Sequence, residues 1–195
     1  MPETRTRPRS ESIVISPWDG TDEQLAEAAE LYAAVFAEPP YGDDPELGRT
    51  SFPERIRQRM TTKQDFRLLL AWDESQVIGL TLGTGIVEGD WWRDRIVEQI
   101  PAAAREEWVR DACFAIEELA VAGTHRRLGV ADSLMSAILR QLPYQTAVLS
   151  CYEEATRARR FYAAQGWQEA ACGIRTGDSP ALCILGRRID EAPRE

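Results

Sequence analysis

The chain has little from which to build a metal site. Its four cysteines, Cys113, Cys151, Cys172 and Cys183, form no CxxC pair, and His125 is the one histidine that could join them. They read as reduced, buried small hydrophobes, and no metal is expected. The sequence also lacks any apolar run near the roughly 20 residues that a membrane helix needs, and its N-terminus lacks the apolar core of a secretory signal. No membrane partner is expected, and a cytoplasmic location is. Positive charge is short too. Against 32 Asp plus Glu stand 23 Lys plus Arg, a net charge of −9 that argues against nucleic acid and suits a cationic partner.

What remains is ordinary globular material: 195 residues, 44% apolar and 28% charged, the size and make-up of one folded domain. Residues 1–11 and 190–195 read as tails, which leaves 12–189 as the domain. Residues 12–18 read as a strand ended by Asp19-Gly20. Leu25, Ala28, Ala29, Leu31, Tyr32, Val35 and Phe36 then keep helical spacing from a cap at Thr21 or Asp22 until Pro39-Pro40. Residues 41–49 read as a loop, and 52–60 as a second helix with Pro53 in its first turn. FRLLLAW (66–72) and VIGLTLGTGI (77–86) form a hairpin around DESQ. A helical insertion with Trp91, Trp92 and Pro101 follows at about 84–112. The order then becomes strand, helix, strand, helix, strand, strand at 116–121, 131–142, 146–152, 155–165, 167–174 and 181–189. Helical crossovers join parallel neighbours and hairpins join antiparallel ones. The expected class is therefore α/β (α+β), a mixed sheet with helices on both faces.

The stretch VAGTHRRLGVA at 121–131 carries the most chemistry. A strand ends, arginines and a glycine follow, and a helix begins. The first amides of a helix have no internal partners and sit at the positive end of its dipole, so a pyrophosphate can accept several hydrogen bonds there. Gly129 has no Cβ to block the approach, and Arg126 and Arg127 add charge. As solvated loop cations these arginines would have a blander role, and His125 reads as structural.

Residues 126–131, Arg-Arg-Leu-Gly-Val-Ala, fit the pattern Gln/Arg-x-x-Gly-x-Gly/Ala. The run ARRFYAAQGW at 158–167 fits Ala-x-x-Phe/Leu-Tyr-x-x-x-Gly-Phe/Trp. On these two motifs, in this order around one further strand, the chain resembles the GNAT superfamily of N-acetyltransferases. The resemblance spans 12–189 by element order and 116–167 by motif. It implies a mostly antiparallel sheet splayed between the strands at 116–121 and 146–152. Acetyl-CoA would be the acyl donor, its pantetheine arm in the gap along Leu119, Ala120 and Val121 and its pyrophosphate on Arg126, Arg127, Leu128, Gly129, Val130 and Ala131. It further implies direct attack by a primary amine in a ternary complex, with a carboxylate on the first strand as base and Tyr162 as acid. Glu117 matches the base position. Glu118 is the alternative, since neighbours on a regular strand point to opposite faces and only one easily enters a groove.

The chemistry asks for such groups in its own right. An alkyl amine titrates near 10.4, so a base is needed to free its lone pair. The carbonyl gains negative charge on attack, which the Val121 amide is placed to meet, and a phenol can protonate the leaving thiolate. The bland readings are an ion-paired surface glutamate for Glu117 and core packing for Tyr162. The family holds its acceptor near the loop after the first helix, which makes Glu38 and Tyr41 candidates, with one of Trp91 and Trp92 a further one. Arg157, Arg159 and Arg160 read as surface charges. One departure stands out: Ala155 occupies a position where the family often has asparagine against coenzyme A. A non-catalytic acyl-CoA sensor, or an enzyme acting on a protein N-terminus or lysine, remain alternatives, and a homodimer is left open.

Overall fold

In the computed structural model, which describes residues 13–177 and 179–189, strand follows strand as alternation and turn chemistry dictate. The expected tails lie outside these residues. The strands are β1 (Ile13–Pro17), β2 (Gln64–Asp73), β3 (Gln76–Val87), β4 (Ala112–Val121), β5 (Thr146–Tyr152), β6 (Gln168–Ile174) and β7 (Leu182–Arg188). They form one sheet in the order β1-β2-β3-β4-β5-β7-β6. Every neighbouring pair is antiparallel except β4 with β5. That parallel pairing runs only from Phe114↔Ala147 to Ile116↔Leu149. Beyond it β4 continues to Val121, while β5 follows β7 as far as Tyr152↔Leu182, and the two strands part.

The helices are α1 (Asp22–Phe36), α2 (Pro45–Thr62), α3 (Trp91–Val97), α4 (Ala102–Trp108), α5 (Val130–Ile138) and α6 (Thr156–Ala164). Thr21 caps α1 by accepting from the Gln24 amide. α2 corrects the sequence reading, because it begins seven residues before the expected start at 52. Pro45 in its first turn and the Asp44 side chain, which accepts from the Glu46 amide at 2.9 Å, are helix-start chemistry that also resembles a loop. Pro53 consequently sits inside the helix rather than in its first turn. β3 extends to Val87, so the helical connection holding α3 and α4 is confined to residues 88–111.

Even-numbered side chains of β2 and β3 (Leu68, Leu70, Leu80, Leu82) pack with Leu25, Phe52 and Ile56 under α1 and α2. Cys113, Ala115, Val148 and Ile184 extend the same face under α3 and α4. On the opposite face Phe114, Ile116, Ala147 and Leu149 meet Leu134, Ile138 and Tyr162 from α5 and α6. These are two layers on a period-2 sheet. The cysteine expectation holds for Cys113 and Cys151, which are free and buried. It fails for Cys172 and Cys183, which form a disulfide. They are 11 residues apart in sequence, and it is the antiparallel pairing of β6 with β7 that makes them neighbours. Glu169 lies beside this pair, the one group of potential metal ligands among the described residues. No described helix is long and apolar enough to cross a membrane.

Candidate functional site

Where β4 and β5 part, two cavities open on either side of the gap. The smaller, about 200 Å³, is bordered by Glu117, Glu118 and Leu119 of β4, by Ser150, Cys151 and Tyr152 of β5, and by Tyr32, Phe36, Tyr41 and Tyr162. The larger, about 630 Å³, is bordered by Leu119, Val121, Arg126, Arg127, Gly129, Val130 and Ala131, by Glu38 to Tyr41 of the α1–α2 connection, and by residues 154–158 at the start of α6. Leu119, Tyr41 and Tyr162 belong to both. Most residues singled out from the sequence therefore converge. Ala120 does not, because strand alternation buries its side chain under α1 and α2, and Leu128 points to solvent. Trp91 is exposed and Trp92 packs on the α3–α4 cluster, so neither reaches a cavity.

The two glutamates correct a simple rule. Opposite Leu82 stands Glu118, but opposite Gly83 stands Ile116, so Glu117 is an extra residue in a β-bulge. The bulge cancels the alternation and turns both carboxylates to the α2 side. There Arg55 and Arg59, one helical turn apart, meet them: Arg55 Nη2 donates to Glu118 Oε1 at 2.8 Å, and Arg59 Nε donates to Glu117 Oε2. The second oxygen of Glu117 accepts from Thr84 Oγ1 at 2.8 Å. Burial drives the Glu118 carboxyl up to about 7, against the opposing pull of Arg55. Arg55 also lies over the Tyr32 ring, 5.1 Å from its centroid. Neither arginine stood out in the sequence, since each meets its partner only through the packing of α2 on the sheet.

β4's polar edge toward the gap follows from its pairing on the other side. The Ala122 amide donates to the Ile78 carbonyl at 2.9 Å, so by alternation the amides of Leu119 and Val121 face away from β3 and into the opening. Tyr162 is buried between the cavities, edge-on to Phe161 and Trp167. Burial raises its phenol far above the usual range and so keeps it protonated. Among the described residues its hydroxyl has no hydrogen-bond partner.

The turn into α5 has the expected form. Gly129 takes φ +82°, a left-handed conformation that favours glycine, and a Cβ there would meet nothing within 4 Å. No side chain caps α5, and none caps α6, whose first turn borders the same cavity. The acid in the first turn of α5, Asp132, is engaged by Gln165 Nε2. Arg126 is held by Nε on the Val121 carbonyl at 3.1 Å and by Nη1 on Glu38 Oε2 at 2.6 Å. Arg127 is exposed and makes no ion pair among the described residues. Arg157 also borders the cavity, where the sequence suggested a surface charge. His125 pairs with Asp73 at 3.1 Å, in keeping with a structural part.

A seven-stranded mixed sheet parted between its two parallel strands, with helices on both faces, is the fold of an acetyltransferase. The sequence matches the Acetyltransferase (GNAT) family over residues 28–167, and the chain belongs to that family. No curated protein sequence matches it. Among solved structures the fold is similar to the ribosomal-protein-S18-alanine N-acetyltransferase of Escherichia coli, with TM-score 0.61 and 14% identity over 92% of this chain and 96% of that one. It is equally similar to Ard1 of Thermoplasma volcanium, at 0.61 and 17% identity over 92% and 99%. Arabidopsis thaliana NAA60, solved with a bisubstrate analogue, follows at 0.59 and 16% over 91% and 99%.

Proposed function

We propose that the protein is an N-acetyltransferase that carries acetyl from acetyl-CoA to a primary amine by direct attack in a ternary complex. The observation behind this reading is that two uncapped helix N-termini and a carboxylate-lined pocket meet at one tyrosine, inside a gap in the sheet.

The larger cavity suits coenzyme A. Its diphosphate would lie on the Val130 and Ala131 amides where Gly129 leaves the approach open, with Arg126, Arg127 and Arg157 supplying charge. The arm would run along β4, pairing, as a strand would, with the Leu119 and Val121 amides that face the opening. Its thioester would then arrive beside Tyr162. The amine would occupy the smaller cavity. Glu118 is the better base: at about 7 it exchanges a proton at neutral pH, whereas Glu117 has one oxygen on Thr84 and the other on Arg59. The amine nitrogen, losing its proton to Glu118, bonds to the thioester carbon. The Val121 amide meets the negative charge on oxygen. As the carbon–sulfur bond breaks, Tyr162 protonates the thiolate and regains a proton from the surplus one that the former amine nitrogen still carries, Glu118 releases its own to solvent, and the products are the amide and coenzyme A. Glu38 and Tyr41 would border the two substrates from above, Glu38 on the donor side.

The test is release of coenzyme A thiol across a panel of amines, with Glu118→Gln, Glu117→Gln and Tyr162→Phe alongside wild type. Turnover lost with Glu118→Gln and Tyr162→Phe is expected. Turnover indifferent to all three would overturn the residue roles. Acetyl-CoA binding without turnover on any amine, small or peptidic, would return the reading to a sensor.

A further inference from the structure

The smaller cavity sorts amines by what else they carry. Among the described residues, the only carboxylates that border it are Glu117 and Glu118, and no arginine, lysine or histidine does. Arg55 and Arg59 approach the two carboxylates from α2, behind the wall. Beside aliphatic side chains, Ser150 and Cys151, the wall carries a continuous row of four rings. Tyr32 to Phe36 is 4.5 Å between centroids, Phe36 to Tyr41 4.9 Å, and Tyr41 to Tyr152 5.1 Å. Ring faces attract an ammonium and accept a flat or apolar carrier. The space, about 200 Å³, holds roughly seven waters at about 30 Å³ each, so a small molecule fits whole.

From these observations we infer that the acceptor is a small alkyl or aralkyl amine with no carboxylate near its nitrogen. The inference rests on the smaller cavity being the acceptor site. A free amino acid would bring its carboxylate beside Glu117 and Glu118, whose own cations are already engaged behind the wall, with no free cation on the lining to receive it. The cations of this site, Arg126, Arg127 and Arg157, all border the larger cavity instead. A peptide N-terminus also lacks a nearby carboxylate. However, its successive amides need hydrogen-bond partners, and apart from its two acids and backbone this wall offers only the Ser150 hydroxyl and the tyrosine hydroxyls.

Matched pairs test this without turnover. With the protein saturated with coenzyme A, titrate tyramine against tyrosine and cadaverine against lysine by calorimetry, and add a tyrosine-initiated tripeptide amide. The amine of each pair should bind about tenfold or more tighter than its amino acid, and tyramine tighter than the tripeptide. Tyr152→Ala should weaken tyramine severalfold while coenzyme A affinity, read on the same samples, shows the variant folded. Equal or tighter binding of the amino acids, a tighter tripeptide, or no amine binding at all would each overturn the inference. Tyramine that binds but is never acetylated would leave the inference standing and overturn the transferase reading. Acetylation of tyrosine as readily as tyramine would do the reverse.

Discussion

The two cavities share three residues yet differ in their charge. Among the described residues, the lining of one carries two glutamates and no cation; the other sets helix N-termini and three arginines among Glu38, Asp132 and Glu154. A net charge of −9 describes neither. The difference arises from the strand that divides them. β4 turns its side chains at Glu117 and Glu118 toward α2 and the Leu119 and Val121 amides toward the gap, so one strand borders two cavities of different chemistry. Global charge is thus a poor guide to a site, and the orientation of a few residues is a good one.

That contrast can be broken at three places, one of them read in two ways. The largest effect is expected at Glu118. Glu118→Gln should lower kcat/KM by about 10²-fold or more, and should flatten the wild-type rise of kcat/KM with pH that levels off near 7 as the carboxyl ionises. A variant that keeps the rise would move the base elsewhere. Next, Gly129→Val should cost about 10²-fold in acetyl-CoA affinity, because a branched side chain is strained at φ +82° and its bulk stands where the diphosphate would approach. Calorimetry giving unchanged affinity would remove the phosphate cradle. Third, Arg157→Ala should weaken acetyl-CoA by a few fold, and less so at high salt, while amine binding in the other cavity stays the same.

The smallest effect is on stability, and its sign is fixed by linkage. Burial places the Glu118 carboxyl at about 7 in the fold, above its ordinary value of 4.5, so the native state holds a proton that the unfolded chain has already released. Wild-type stability should therefore fall as pH rises from about 4.5 to about 7, then level. Glu118→Gln cannot titrate and lacks this slope, so the difference between the two proteins should move in the variant's favour across that window. Parallel denaturation curves at pH 5 and pH 8 with the same difference would place Glu118 in an ordinary solvated setting.

How much of this was legible in the sequence depended on the range of the determinants. The turn at 126–131 and the helix bearing Tyr162 were readable because glycine, arginine and apolar spacing within a dozen residues specify them. The succession of strands and helices was largely readable for the same reason. The bulge at Glu117 was not, since it is a property of the pairing between β3 and β4, and so the rule that neighbouring strand residues face opposite ways failed where it mattered. Arg55 and Arg59 lie about sixty positions from the glutamates they hold. The early start of α2 was hidden by residues that serve loops and helix caps alike, and the Cys172–Cys183 pair by its dependence on two strands meeting. Tyr32 kept the helical spacing of a core residue and Tyr152 only ended a strand, yet each also borders the smaller cavity.

The parallel contact between β4 and β5 spans only three register pairs. On one side of it β1 to β4 form a continuous antiparallel ladder, and on the other β5, β7 and β6 form another. The molecule is in this sense two sheets fastened by a short seam. Anything extended that settles in the open end takes the place of the missing rungs, so occupancy of the gap and cohesion of the two halves are one equilibrium seen from two sides.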